Sequence, residues 1–297
     1  MTMGIYLEKI IRRAKTLCVP YLFWNSIFMI GNVFLIIRSP ECMSVYDSVY
    51  SYFMKFGGFR MYWDCYVLGG GEPPIGFVQD NSAPLLIPMW FVRDLIMVSL
   101  FSPLLWWLTK KMGTLFVTSL AFCYVFQFWP YIHGVSSVSF FFFSIGIFMS
   151  RHADDIDEYF NKCGIIISVI TLCFSFLLIY LINSNWSYYP YVMRVFMIIA
   201  SFTALFITNI IVKSNIYIGV WLRLSKASFA VYAMHMVFVS KYVRIFVRRT
   251  FGVDDSFPFL FIEYVTVPFI TIIICLFFYI IIKMFFPKAL LFITGGR

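Results

Sequence analysis

The residues of this chain best suited to chemistry concentrate in two apolar stretches. In the first, SFAVYAMHMVFVSKY, Ser228, Tyr232, His235 and Tyr242 follow one another at helical spacing, with His235 in the middle. Residues three and four apart share a face of a helix. A polar stripe turned to lipid is costly, so it is expected to point into a helix bundle, where an ionisable side chain marks a functional site. An imidazole titrates near neutrality and suits general acid–base work. The competing role for His235 is structural, a ring nitrogen bonded to a backbone carbonyl or a hydroxyl.

The second stretch, PMWFVRDLIMVSLFSPLLWWL over Pro88–Leu108, places Arg93 and Asp94 one turn inside an otherwise apolar run. A charge at the bilayer centre costs about 2.5–3.5 kcal/mol on insertion scales. Neighbouring residues do not face each other on a helix, so the two are expected to reach separate partners, groups on other helices. The alternative has Arg93 snorkelling to the headgroups while Asp94 pairs locally. Arg194 is a further cation within an apolar run, Glu263 reads as a solvated interface carboxylate, and His133 and His152 read as loop residues. Lys241, Arg244, Arg248 and Arg249 form a basic cluster, either an outward anion site or a contact with headgroups.

These residues need a membrane bundle to position them. Hydrophobic types make up 62% of 297 residues and charged types 12%, and mean hydropathy is +0.87. No soluble domain of this size hides that much apolar surface. The net charge of +9 lies between apolar runs rather than on one patch, which fits the positive-inside rule and not nucleic-acid binding. The seven cysteines are scattered without a CxxC pair, so no zinc or disulfide framework is expected. No HExxH, nucleophile elbow or glycine-rich dinucleotide loop occurs.

The fold expected is all-α, a polytopic transmembrane bundle of about eight spans. They lie near 17–37, 88–108, 113–131, 134–149, 164–182, 190–212, 227–247 and 259–285. The interval 38–88, net acidic and carrying the Gly69–Pro74 run GGGEPP, is placed outside, with an interfacial segment near 44–56. Arg151–Lys162 and Lys213–Lys226 are read as charged inner loops, and FPKALLFITGGR as a basic tail. Most Lys and Arg then fall in inner segments, which places both termini in the cytoplasm.

Five stretches resemble the membrane acyltransferase 3 family in order: Glu8–Asn25, Pro88–Trp107, Ser139–Ser150, Ala227–His235 and the terminal FPKALLFITGGR. The resemblance covers nearly the whole chain as a single domain, and implies acyl transfer, with acetyl expected, from acyl-CoA to a hydroxyl of a surface polysaccharide or lipid-linked glycan. Its WF-x-RD segment falls on Trp90, Phe91, Arg93 and Asp94, and its Y-x-x-H ending on Tyr232 and His235. His235, Arg93 and Asp94 are thereby the expected catalytic residues. Trp90, Tyr232, Ser228 and Arg194 are the expected acceptor contacts. Arg12, Arg13 and Lys15 would meet the acyl-CoA phosphates, and no bound cofactor or metal is expected.

Family members usually begin with two further helices, bearing an arginine and then a histidine taken as catalytic, and have about ten spans. No histidine precedes His133 here, so the expectation is a chain lacking those two helices, in a bacterial-type inner membrane. Two other functions are compatible with the residues: a carrier or flippase for an anionic or glycan substrate, and a catalytically inert partner in glycan synthesis. Inverted repeats would favour the carrier, and the halves show no convincing similarity.

Overall fold

The computed structural model describes residues 12–38, 58–63, 66–67, 82–130, 132–184, 186, 188–215, 217–251 and 257–296. The interfacial segment expected near 44–56, the Gly69–Pro74 run and the first eleven residues lie outside this set. Among the described residues the chain forms ten α-helices: α1 Val19–Arg38, α2 Trp90–Met112, α3 Thr114–Phe126, α4 Ser137–Arg151, α5 Ala153–Asn183, α6 Tyr189–Ser214, α7 Ile218–Met234, α8 Ser240–Phe251, α9 Phe257–Phe285 and α10 Pro287–Thr294. A short antiparallel bridge pairs β1 (Tyr66–Val67) with β2 (Ser82–Ala83).

The all-α membrane bundle expected from composition is what the chain adopts. Among the described residues, five helices are long and apolar enough to cross a membrane, and the bent pair Ile218–Val237 and Ser240–Phe251 makes up to six. Thr114–Phe126 and Ser137–Arg151 are apolar but shorter, at 13 and 15 residues. At 1.5 Å per residue they fall short of the roughly 30 Å hydrocarbon core. Large apolar side chains face outward, with Ile165 74% and Met284 70% exposed. Contiguous exposed apolar surface of this kind marks a membrane-facing protein.

The residues cluster into two units, one of 1–71, 81–100 and 222–297 and the other of 72–80 and 101–221, with the boundary passing within α2 and α7. In the first unit, α1 and α2 are joined at two levels. Leu86 N–H donates to Asn25 Oδ1 (3.0 Å), and Arg13 Nη1 donates to Ser99 Oγ (3.0 Å). Asn25 lies at mid-height of the apolar run Lys15–Phe34. The stretch just before α2, expected to lie wholly outside, therefore packs halfway along α1. Irregular backbone at that depth persists only where protein or water satisfies its polar groups. Here Asn25 does so, its own Nδ2 donating to Tyr21 O (2.9 Å).

The C-terminal segment is a docked helix rather than a tail. Trp24 Nε1 donates to Ile293 O (2.9 Å), and Leu290, Ile293 and Thr294 are buried. Gly295, at φ +71°, closes α10 against the π turn Ala14–Cys18, and a Cβ there would stand 2.1 Å from Thr16 O. Gly295→Ala is expected to cost about 2–4 kcal/mol through this clash and the left-handed φ. A lowered midpoint of thermal unfolding in detergent, with α10 becoming accessible to protease, is the result that checks it.

The second unit is built on α3–α6. Gly113, at φ +56°, turns α2 directly into α3. Ser136 caps α4 by accepting from Ser139 N–H (3.3 Å), and Tyr124 stacks on Phe141. The charged stretches read as inner loops are largely helical. α5 begins at Ala153, its first turn carrying acidic residues that suit a helix N-terminus, and Glu158 pairs with Lys162 at 2.5 Å. Arg223 and Lys226 likewise lie within a helix, α7.

Candidate functional site

Arg93 and Asp94 are the most deeply buried charges among the described residues, at 1% and 0% exposure. They pair with each other, contrary to the expectation of separate partners. Arg93 Nε and Nη2 reach Asp94 Oδ1 at 3.1 and 3.0 Å. The faces of adjacent residues diverge at the helix surface, but a guanidinium on a long stem can fold back across the angle. The remaining fork donates to Trp63 O (2.7 Å), Ser82 Oγ (2.8 Å) and Ser82 O (3.1 Å), and Arg93 Cζ lies 5.7 Å from the Trp63 ring centre. Planar, five-donor geometry makes arginine suited to such clamping. Arg93 thus fastens two of the described pieces of the 38–88 interval, 58–63 and 82–88, to the start of α2, and it does not snorkel.

The same interval is held from α1. Tyr21 OH donates to Tyr62 O, and Ser26 Oγ shares a hydrogen bond with Tyr62 OH (2.9 Å). Leu85 N–H donates to Met61 O (2.7 Å), joining these two pieces. The contribution of Tyr21, Asn25, Ser26 and Ser82 was not read from the sequence. Asn25 in an apolar run was the available signal, because a buried amide requires partners.

His235 opens a π turn, His235–Val239, in which Ser240 N–H donates to His235 O. π turns inside helices occur frequently at functional sites. His235 Nδ1 lies 2.6 Å from Tyr232 O. A carbonyl only accepts, so Nδ1 carries the proton and, in the neutral ring, Nε2 presents its lone pair. The half-buried ring therefore has the structural bond of the bland reading and, on its other nitrogen, the acceptor a general base needs. The widened turn, followed by a 64° bend into α8, also breaks the expected four-residue stripe. Ser228 is exposed and bonds back to Ser225 O, and Tyr242 is 54% exposed.

Tyr232 links α7 to α2. Its hydroxyl donates to Pro88 O, and its ring lies 6.4 Å from that of Phe91. Beside it is a cleft of about 260 Å³ lined by Leu17, Phe91, Val92, Leu95, Ser228, Phe229 and Tyr232. His235 is not among the lining residues but follows Tyr232 by one turn. Trp90 is 37% exposed at the head of α2. Arg12, Arg13 and Lys15 are exposed before α1, Arg13 being the one bound to Ser99.

Other expected residues are placed elsewhere. Arg194 lies in the second unit, donating to Val125 O (2.9 Å) and stacking over Tyr191. Glu263 is not solvated. At 7% exposure it accepts from Arg244 Nε (2.5 Å) and Arg248 Nε (3.0 Å), so two members of the basic cluster join α8 to α9. Glu263→Gln is expected to lower the unfolding midpoint, with a smaller effect at high salt, in thermal melts at two ionic strengths. His152 stacks on Phe148 and bonds its carbonyl. No group of His, Cys, Asp or Glu able to hold a metal occurs among the described residues.

The described residues thus form a bundle of apolar helices with a buried Arg–Asp clamp, and His235 stands one turn beyond Tyr232, which lines a cleft. The family model described as an acyltransferase domain, Acyl_transf_3, matches residues 3–286, and the chain belongs to that family of membrane acyltransferases. The match stops as α10 begins. No curated protein and no solved structure matches the chain.

Proposed function

We propose that this chain transfers an acyl group, acetyl being the expected one, from acyl-CoA to a hydroxyl of a surface polysaccharide or lipid-linked glycan. The observation that carries the reading is the His235 geometry, a ring fixed through Nδ1 with Nε2 available, in a member of an acyltransferase family. Nε2 takes the proton of the acceptor hydroxyl as its oxygen attacks the thioester carbonyl. The C–S bond breaks, and the departing CoA thiolate receives that proton from the imidazolium. Tyr232, whose oxygen retains lone pairs while donating to Pro88 O, and exposed Trp90 and Ser228 position the acceptor. Arg93 and Asp94 act as positioning residues that hold the wall of the site. Arg12, Arg13 and Lys15 meet the CoA phosphates. The bacterial-type inner membrane, with cytoplasmic termini, is the setting in which these cations would face acyl-CoA.

The test is transfer of labelled acetyl from acetyl-CoA to glycolipid or glycan in membranes containing this chain. Labelled acceptor above the level of empty membranes supports the reading. Inserted, folded protein that transfers no label with suitable acceptors present overturns it. Movement of the acceptor across vesicles without acyl-CoA consumption would instead assign a carrier.

A further inference from the structure

The second unit contains two apolar furrows on either side of α4. One, of about 400 Å³, is lined by Trp106, Phe142, Phe143, Gly146, Ile147, Ser150 and Arg151. The other, of about 140 Å³, lies toward α6 and shares Phe142 and Gly146, with Met149 and Phe202 among its walls. Gly146 is the low point between them, since a Cβ built there meets nothing within 4 Å.

Cations gather at one end of the larger furrow. Arg151 lines it and donates Nη1 to Thr109 O (3.3 Å). Lys110 Nζ lies 5.3 Å from the centre of the same Trp106 ring that forms the furrow wall, and Lys111 Nζ 5.1 Å from that of Trp107. Lys110 and Lys111 close the apolar run Ile87–Met112, so they stand where a spanning helix meets the headgroup layer. Tryptophan and lysine at that level are the usual interfacial anchors.

We propose that this surface binds an anionic diacyl phospholipid, one acyl chain in each furrow across Gly146 and the phosphate at Arg151 and Lys110. Two apolar furrows meeting at a notch match the two chains of one lipid, and the cations at one end match its single negative headgroup. Basic pockets between spanning helices select anionic headgroups in this way. The site is separate from His235 and independent of the acyl-transfer reading.

The experiment is native mass spectrometry of the full chain, titrated with dioleoyl phosphatidylglycerol or dioleoyl phosphatidylcholine. Wild type is expected to retain phosphatidylglycerol about 10- to 30-fold better, from two near-surface cations. Arg151→Gln with Lys110→Gln should remove that preference, and Arg151→Lys alone should keep most of it. Gly146→Phe, whose Cβ would meet nothing within 4 Å, should reduce retention of both lipids while leaving the unfolding midpoint unchanged. Equal retention of the two lipids by wild type overturns the proposal. So does a preference that survives the double glutamine variant, or displacement of phosphatidylglycerol by palmitoyl-CoA at equal concentration.

Discussion

Replacing His235 by alanine is expected to lower acyl transfer by about 10²–10⁴-fold, the range that a positioned general base supplies. Stability changes little, because the lost Nδ1 bond to Tyr232 O is one hydrogen bond of net worth about 1 kcal/mol. His235→Asn separates the two roles. Its amide nitrogen can reproduce the bond to the carbonyl, but it offers no base. A purely structural histidine predicts an active Asn variant, whereas the base predicts an Asn variant as inactive as the alanine one. Initial rates of labelled acetyl transfer, beside thermal melts of each variant, decide between them. Wild-type rates in both variants would remove His235 from the reaction.

Arg93→Ala is expected to destabilise the chain by about 3–5 kcal/mol, the cost of breaking a buried ion pair by removing one member. Asp94 would remain at 0% exposure without its guanidinium, and Trp63 O, Ser82 O and Ser82 Oγ would lose their donor. Such a loss is a large fraction of the stability of an ordinary domain. Arg93→Lys keeps the charge but not the planar fork, so an intermediate midpoint is expected. Removing both partners by Arg93→Leu with Asp94→Leu should cost less than the sum of the single changes, as coupled buried pairs do. Thermal unfolding, with protease cleavage within the 58–89 segment as a local readout, checks these variants. An Arg93→Ala protein that melts like wild type yet transfers no acetyl would return Arg93 to direct substrate contact. Its effect would then fall on KM or kcat rather than on folding.

The clamp illustrates what a linear pattern leaves open. Arg93 and Asp94 were conspicuous in Pro88–Leu108 because charges in an apolar run are costly, but their pairing with each other was not expected. Its partners, Trp63 and Ser82, lie 30 and 11 residues away along the chain, in a segment with no periodicity to place it. Hydropathy likewise located α2, α5, α6 and α9, whose apolar character is continuous. It read Arg151–Lys162 as a loop because charge obscures helix there, although acidic residues at a helix start favour it.

The sequence by itself determined that this is an all-α membrane protein, and its ordered stretches pointed to the family whose model matches residues 3–286. It also singled out Arg93, Asp94 and His235, since lipid makes an ionisable side chain conspicuous. Only the tertiary structure decided what these groups touch: the guanidinium folded back on its neighbour, and the imidazole bonded to Tyr232 O at a π turn. It also turned the basic terminal segment into a helix seated against α1 through Gly295 and Trp24. Burial preference is written residue by residue, whereas hydrogen-bond partners depend on which distant segments packing brings within about 3 Å.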